Sequence, residues 1–288
     1  RVDSRLFNIY NNYSERKRMR ENTMKKAGMN KKREANEYEW YSDEADYFYC
    51  RDMRDLICQL HFHSSWEFIF VVEGRLKLLL DGEEYCAKKG DVLFIPGFVV
   101  HYAAGTEKNR CFSLVFGSDY KRAFTEEFGE KQFDFILPYI EGRSEEIFRF
   151  VEECVKNFKS FSACERFGMT SMFLGAFGRM YPLKEAENQS SDKLIIDLLR
   201  YLDKHFTENI SVESVAERLG YSKNYLSTLF NKYTGMRFSD YLNRLRIRET
   251  VKRMENSSVG ITSVALDCGF NSLNTYYRAK QKFLTNKK

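Results

Sequence analysis

Short apolar runs separated by glycine and acidic residues fill the stretch from residue 48 to residue 115. Each run is the length of a strand and is followed by a polar turn; the runs are 57–62, 68–72, 76–80, 92–95 and 112–116. Short strands at such spacing predict a compact antiparallel β-barrel. Residues 1–47 before it are polar and basic, which indicates an N-terminal extension.

Apolar residues return to a helical period between residues 120 and 181. This pattern fits helices of a core or helices that pair with a second subunit. Residues 183–191 are polar and unpatterned, which indicates a linker, and an amphipathic helix is predicted after it. The predicted organisation is an extension (1–47), a barrel (48–118), a helical region (119–182), a linker (183–191) and a C-terminal domain (192–288).

One local pattern occurs twice in the C-terminal domain. Ala216 and Gly220 recur as Ala265 and Gly269, so both residues are offset by 49 positions, as in a tandem duplication. In each copy the alanine lets two helices cross closely, and the glycine can take the left-handed conformation that ends a helix. The pattern is typical of a helix-turn-helix, which places its second helix in the major groove of DNA.

The second helix of each copy is predicted to present polar side chains. Ser222 stands at the N-cap position of the first copy, and Asn271 or Ser272 at that of the second. The side chains predicted to face outward and contact bases or phosphates are Lys223, Asn224, Ser227, Thr228, Asn231 and Lys232 in the first copy and Leu273, Asn274, Tyr277 and Arg278 in the second.

Residues 237–254 between the two copies predict a connecting helix. Its 18 residues would span roughly 27 Å, enough to hold two recognition helices about one turn of DNA apart. We expect Arg244, Arg246 and Lys223 to contact phosphates or to charge this helix, although Arg246 can equally be a buried structural partner. Arg278 is expected to contact a base.

The net charge of +5 is unevenly distributed. Residues 192–288 hold 17 Lys and Arg against 10 Asp and Glu, whereas residues 39–191 hold 18 against 26. The positive excess accompanies the duplicated motif, as phosphate contacts require. The absence of a membrane-length apolar run and of a signal-peptide pattern predicts a soluble cytoplasmic protein without a membrane partner. The seven cysteines are scattered and never form Cys-x2-Cys, which favours a reducing compartment.

The duplicated motifs resemble those of the AraC/XylS family of bacterial transcription regulators. The similar stretches are residues 216–230, Gly235, residues 241–247 and residues 269–275. The resemblance implies base contacts by Asn224, Ser227 and Thr228 in the first copy and by Leu273, Asn274, Tyr277 and Arg278 in the second. It also implies a small-molecule effector, a homodimer and contact with RNA polymerase, with no cofactor. Two departures are present: Lys280 stands where the family usually has a core Phe, and the usual C-terminal tail motif is absent. Both predict a loosely packed last helix.

Two runs in the predicted barrel resemble the cupin motifs, namely His61-x-His63-x3-Glu67-x6-Gly74 and Gly90-x5-Pro96-x4-His101. One interpretation is a metal site, since His61, His63, Glu67 and His101 supply three imidazoles and a carboxylate. The other is that these residues line an effector pocket without metal, as the AraC resemblance implies. The predicted pocket, suited to a sugar or another polar ligand, contains His61, His63, Trp66, Glu67, Arg75, Tyr85, His101 and Tyr102.

The sequence therefore predicts an α+β multidomain protein with an N-terminal cupin-like antiparallel β-barrel, flanking helices and a C-terminal all-α domain with two helix-turn-helix motifs. The predicted function is ligand-responsive, sequence-specific transcription regulation, without enzymatic activity. Two alternatives stay open. One is a cupin-type metalloenzyme with an appended DNA-binding domain, and the other is a paralogue with impaired DNA binding.

Overall fold

The computed structural model describes residues 37–39, 46–58, 60–80, 83–185, 193–255 and 259–285. Most of the predicted N-terminal extension, residues 186–191 of the predicted linker and residues 286–288 of the C-terminal tail lie outside this set. The chain divides into two units, residues 1–193 and residues 194–288. None of the described helices is long and apolar enough to cross a membrane.

The first unit is built on two five-stranded sheets in the order β1-β3-β8-β5-β6 and β11-β7-β4-β9-β2. Apart from the parallel pairing of β1 with β3, the pairings are antiparallel, which confirms the predicted architecture. The strands of the described chain are β1 (Glu37–Tyr38), β2 (Phe48–Arg54), β3 (His61–Phe62), β4 (Trp66–Glu73), β5 (Arg75–Leu80), β6 (Glu83–Lys88), β7 (Val92–Ile95), β8 (His101–Gly105), β9 (Arg110–Phe116), β10 (Lys131–Gln132), β11 (Ile136–Leu137) and β12 (Lys184–Glu185).

The central strand β4 is buried on both faces. Side chains alternate along a strand, so Phe68 and Phe70 lie on one face of β4 and Glu67 and Ile69 on the other. The two phenylalanines belong to the core between the sheet and the helices, whereas Glu67 and Ile69 line a cavity inside the barrel. Burial of both faces explains why β4 has a continuous apolar run in the sequence.

Three α-helices of the described chain cover the outer face of this sheet, namely α1 (Ser118–Phe128), α2 (Arg143–Asn157) and α3 (Ala163–Met180). Ser162 begins α3 with a capping box, in which its side chain and that of Glu165 each accept a bond from the other's backbone amide. The rings of Phe173 and Phe177 on α3 lie 5.0 and 5.7 Å from that of Phe68. The apolar sides of these helices therefore form core within the unit.

The structure corrects two boundaries that the apolar pattern suggests. Residues 57–62 do not form one strand, because Ile57 is 76% exposed and makes a single bridge to Ala104, so that β3 begins only at His61. Within the predicted linker, Lys184–Glu185 is a strand that pairs with β10. The strands β2 and β6 lie outside the apolar runs because each contains two adjacent charged residues, Arg51–Asp52 and Glu83–Glu84, and β8 because it ends in small residues.

The second unit is helical throughout its described residues. Its elements are α4 (Lys193–His205), α5 (Val212–Arg218), α6 (Lys223–Thr234), α7 (Phe238–Glu255), α8 (Ile261–Asp267) and α9 (Leu273–Thr285). The pairs α5–α6 and α8–α9 are the two predicted helix-turn-helix units. The helix between them, α7, has 18 residues, which matches the predicted length of the connecting helix.

Both helix-turn-helix turns use the predicted glycine and an N-cap serine. Gly220 has a φ of 73° and Gly269 a φ of 90°. The Ser222 hydroxyl accepts a bond from an amide in the first turn of α6 at 3.2 Å, and the Ser272 hydroxyl does so in α9 at 3.2 Å. The glycines are 49 residues apart and the caps 50, so the second turn is one residue longer than the first.

Each copy has its own buried centre. Leu226 and Phe230 are fully buried in the first copy, and Tyr276 occupies the corresponding core position on α9. Lys280 is the equivalent of Phe230, and its Nζ lies over the Tyr276 ring, 5.6 Å from the ring centroid. A partly buried lysine thus covers an aromatic residue by a cation–π contact where the first copy has a phenylalanine.

Candidate nucleic-acid interface and effector site

The outer side of α6 carries the predicted base-contacting residues. Asn224 and Thr228 are exposed and Ser227 is partly exposed. They lie three and four residues apart, so they share the face of the helix that is opposite the buried Leu226 and Phe230. Short polar side chains on an exposed helix face can bond to base edges in a major groove.

The outer side of α9 presents a larger and more basic set. Asn274 and Arg278 are exposed, and Tyr277 is 51% exposed. Leu273 was grouped with them by the sequence pattern, but it is only partly exposed and packs on the core that contains Phe270. Leu273 is therefore a packing residue and not part of the candidate interface.

The remaining predicted contacts of this region are Lys223, Asn231 and Lys232 on α6 and Arg244 on α7. Lys223 Nζ lies 2.5 Å from Glu213 Oε1, and both side chains are more than half exposed. Asn231 is exposed, while Lys232 and Arg244 are partly buried. A DNA phosphate oxygen that contacts Lys223 would therefore compete with the Glu213 carboxylate for the same ammonium group.

Arg246 is a structural residue and not a phosphate contact. Its residue exposure is 9%, and burial lowers the pKa of its guanidinium. Its Nε donates to the Phe206 carbonyl at 2.7 Å and its Nη2 to the Glu208 carbonyl at 2.8 Å. The side chain thus joins α7 to the loop after α4. Of the two interpretations of Arg246, the structure supports the buried structural partner and corrects the assignment to the DNA contacts.

The barrel brings together four residues from separate strands and loops. Ligand atoms of His61, His63, Glu67 and His101 all lie within 4.8 Å of one another, and all four residues are buried. His61 and His101 face each other in the register of β3 and β8. The two cupin-like runs therefore meet at one point inside the barrel.

Backbone carbonyls fix the orientation of two of these imidazoles. His63 Nδ1 lies 3.0 Å from the Ser65 carbonyl oxygen and His101 Nδ1 lies 2.9 Å from that of Val99. A carbonyl oxygen can only accept, so both Nδ1 atoms carry the hydrogen. The Nε2 atoms consequently point inward, 3.4 and 3.6 Å from Glu67 Oε2.

The Glu67 carboxylate is held as an anion. Burial acts to raise the pKa of Glu67, but the His101 and His63 imidazoles beside it hold that pKa well below its usual range. Ser113 Oγ donates to the other carboxylate oxygen at 2.8 Å. A fixed, ionised carboxylate among three imidazoles is an arrangement that attracts a cation.

The donor set fits a divalent transition-metal ion. Among the described residues, His101 Nε2 is a buried side-chain nitrogen without a hydrogen-bond partner. Three imidazoles and one carboxylate are ligands that such ions accept in proteins. The second cupin-like run supplies only His101, and the first supplies the other three residues.

The cavity around this cluster contains residues that the sequence pattern did not indicate. Tyr47, Tyr49, Arg51 and Met53 line it from β2 and the residue before that strand. Their alternation with the buried Phe48 and Cys50 is the signal that could have found them. The other lining residues outside the cluster are Glu39, Leu56, Cys58, Ile69, Ser113 and Val115.

Trp66 and Tyr102 do not line the cavity. Each is adjacent in sequence to a residue that does, Glu67 and His101, and successive side chains of a strand point to opposite faces. The Trp66 ring lies 5.1 Å from that of Phe94 in the core between sheet and helices. Strand alternation therefore corrects both assignments.

Arg75 and Tyr85 also lie away from the cavity. The Arg75 side chain is 72% exposed, and its Nε is 4.0 Å from a carboxylate oxygen of Glu107. The Tyr85 ring packs on that of Phe135 at 5.3 Å. Arg75 is on β5 and Tyr85 is on β6. The sequence pattern does not indicate which face of the sheet each of these side chains occupies.

Comparison with known proteins agrees with this geometry. The family model described as "Helix-turn-helix domain" matches residues 215–285, and that described as "Cupin domain" matches residues 55–116. A cupin barrel followed by two helix-turn-helix units defines a DNA-binding transcription regulator.

Relatives narrow this class to a family. The regulatory protein SoxS of Escherichia coli K12 is 30% identical over 89 residues, which cover 31% of this chain and 83% of SoxS. The transcriptional activator RhaS of Escherichia fergusonii is 24% identical over 230 residues, or 76% of this chain and 82% of RhaS. Among solved structures, ToxT of Vibrio cholerae O395 aligns over 81% of this chain and 93% of its own, with 14% identity and a TM-score of 0.41. The chain belongs to the AraC family of transcriptional regulators.

Proposed function

We propose that this protein regulates transcription by binding a two-part DNA site through α6 and α9 and a small polar effector in the barrel cavity. The observation that carries the proposal is the repeated helix-turn-helix geometry, with the same left-handed glycine and serine cap in both copies. A helix of 18 residues joins the copies, so a span of roughly 27 Å fits two successive major grooves.

The side-chain exposures described above define the proposed base contacts. On α6 these are Asn224, Ser227 and Thr228, and on α9 they are Asn274, Tyr277 and Arg278. Arg278 is the strongest candidate for direct base recognition, because a guanidinium can donate two bonds to one guanine. Lys223, Asn231, Lys232 and Arg244 are proposed phosphate contacts.

The effector is proposed to bind where Tyr47, Tyr49 and Arg51 line the cavity with hydroxyl and guanidinium donors. These groups suit a sugar or another polar molecule, since aromatic rings can stack on it and the donors can orient it. The barrel then acts as a sensor and not as an enzyme. Control requires the effector to bind two arrangements of the protein with different affinity.

The family supports three further parts of the proposal. Its members are transcription regulators, and RhaS is named as an activator. We therefore expect activation of transcription, with contact to RNA polymerase. We also expect a homodimer.

Selection of bound sequences from a randomised duplex library tests the proposed function. The full chain is expected to enrich two short motifs whose centres lie about 10.5 base pairs apart. Arg278→Ala is expected to relax the preference in one motif, and Thr228→Ala in the other. Enrichment of no motif, or of a single motif, would reject the two-part site.

A further inference from the structure

The charged residues of β2 are paired differently on the two faces of the strand. On the face toward the helices, Asp52 accepts a bond from Arg110 Nη2 at 2.8 Å, and the same nitrogen lies 3.7 Å from Glu152 of α2. Arg51 lines the cavity on the opposite face. Its Cζ lies 5.9 Å from the centroid of the Tyr49 ring, and no carboxylate in the described part of the chain forms an ion pair with it. The cavity wall therefore contains a cation for which no described residue supplies a partner.

The two carboxylates of the cavity wall are directed toward imidazoles. Glu67 Oε2 lies 3.4 Å from His63 Nε2, and Glu39 Oε2 lies 3.7 Å from His61 Nε2. Neither acidic group is within ion-pair distance of Arg51. A guanidinium binds a carboxylate or phosphate group more strongly than a neutral acceptor, because the bonds are charge-assisted. A bound molecule that carries such a group would supply the partner that Arg51 lacks.

The aromatic rings beside Arg51 make its guanidinium a directed donor. The rings of Tyr47 and Tyr49 stack with centroids 6.4 Å apart, and the Phe158 ring packs edge-on against Tyr49 at 5.4 Å. A guanidinium that lies over an aromatic ring can still donate two parallel bonds to a carboxylate or a phosphate group. Burial, together with the neighbouring Tyr49, raises the pKa of Tyr47 to about 12, so this hydroxyl keeps its proton and can donate a further bond.

We infer that the effector of the barrel is an anion whose carboxylate or phosphate group binds Arg51. The inference rests on the proposed function, because it names the chemical class of the effector in that sensor. Arg51 is exposed, whereas Glu67 and His101 are buried in the same cavity. The anionic group therefore binds at the open side, and the rest of the molecule extends toward the buried residues. Sugar acids and sugar phosphates fit this wall better than neutral sugars do.

Calorimetric titration of the full chain with matched compounds tests the inference. One arm compares glucuronate, galacturonate and gluconate with the neutral sugars, and a second compares glucose 6-phosphate, fructose 6-phosphate and ribose 5-phosphate with theirs. A third compares benzoate and hexanoate with their primary amides. We expect at least one anion to bind about tenfold or more tightly than its neutral partner, and the arm in which it occurs distinguishes a carboxylate from a phosphate. The inference is wrong if no anion in the three arms binds more tightly than its neutral partner.

Three substitutions on β2 locate the bound anion. Arg51→Met removes the charge but keeps an unbranched side chain, and is expected to weaken binding of the anion by about 10–100-fold. Arg51→Lys keeps the charge without the two parallel donors, so the expected loss is smaller. Arg54→Met removes an exposed arginine of the same strand that does not line the cavity, and is expected to bind like the wild type.

Far-UV circular dichroism would check that all three variants fold, as expected for exposed positions. Equal affinity of the wild type and Arg51→Met for the anion would overturn the inference, and so would an equal loss in Arg54→Met.

The outcome is separate from that of the DNA-binding test, because the titrations contain no DNA and the duplex selection contains none of these compounds. An anion that binds at Arg51 in a chain that selects no DNA motif would support the anion site and reject the regulator. Selection of a two-part site by a chain that binds only neutral compounds would overturn the anionic effector alone.

Discussion

Gly220 and Gly269 hold the same place in the two helix-turn-helix units, yet only Gly269 lies against another part of the backbone. A Cβ atom added to Gly269 would lie 2.7 Å from the Thr207 carbonyl oxygen, whereas nothing lies within 4 Å of one added to Gly220. Arg246 Nε would be only 2.8 Å from the same added atom. The second turn is thus packed onto the loop after α4, which Arg246 also binds.

Alanine at these two glycines is expected to have unequal effects. Gly220→Ala should cost about 1–2 kcal/mol, since only the left-handed backbone is strained. Gly269→Ala should cost about 1–3 kcal/mol more, because the added methyl group overlaps a carbonyl oxygen that cannot move freely. Urea unfolding of both full-length variants, followed by far-UV circular dichroism, would measure the difference. Equal losses would show that the close approach at Gly269 is relieved without cost.

Two arginines of the C-terminal unit are expected to separate stability from DNA recognition. Arg278→Ala should weaken binding to the selected site by about 1–3 kcal/mol and leave the unfolding free energy unchanged, because the side chain is exposed. Arg246→Ala should lower the unfolding free energy by about 1.5–3 kcal/mol, because two backbone carbonyls lose a charged donor. Fluorescence anisotropy and urea unfolding would be measured on both variants. The assignment fails if Arg246→Ala unfolds like the wild type.

Substitutions of the two residues in the Lys223–Glu213 pair are expected to change DNA affinity in opposite directions. Lys223→Ala should reduce the slope of log affinity against log salt by about 1, since one phosphate contact is removed. Glu213→Gln should raise affinity by a factor of roughly 1.5–5, because an exposed ion pair that competes with the phosphate is worth about 0.2–1 kcal/mol. Anisotropy at several salt concentrations would check both values. A salt slope that Lys223→Ala leaves unaltered would exclude Lys223 from the phosphate contacts.

Trp66 and Arg75 test the corrected limits of the barrel cavity. Trp66→Ala should destabilise the protein by about 3 kcal/mol or more, because its ring packs among Phe94, Phe124 and Phe133. Arg75→Ala, on the exposed end of β5, should change stability by no more than about 0.5 kcal/mol. Thermal or urea unfolding would compare them. A larger loss from Arg75→Ala than from Trp66→Ala would contradict the placement of these side chains.

Local patterns in the sequence were enough to predict the helix-turn-helix units. The left-handed conformation of Gly220, the cap at Ser222 and the length of α7 depend on neighbouring residues, so each follows from a short stretch of chain. The sequence leaves Arg246 open between a phosphate contact and a buried structural partner, because its burial depends on a loop about 40 residues earlier in the chain. Periodicity places a residue on a helix face but does not identify what packs against that face.

The barrel cavity was only partly predictable for a similar reason. The cupin-like spacing brought His61, His63, Glu67 and His101 together, and their convergence in the structure agrees with it. Strand alternation excludes Trp66 from the cavity, because Trp66 precedes Glu67 and successive side chains of a strand point to opposite faces. The lining from β2 was missed because its polar residues left no apolar run to mark a strand.

The central claim is that α6 and α9 bind one duplex together, on the same side and about one helical turn apart. The most direct measurement is the affinity of the full chain for its selected site before and after insertion of about five base pairs between the two motifs, which rotates one by half a turn. The account predicts that the insertion reduces specific affinity to that of a duplex with one motif scrambled. Unchanged affinity for the duplex with the insertion would contradict it.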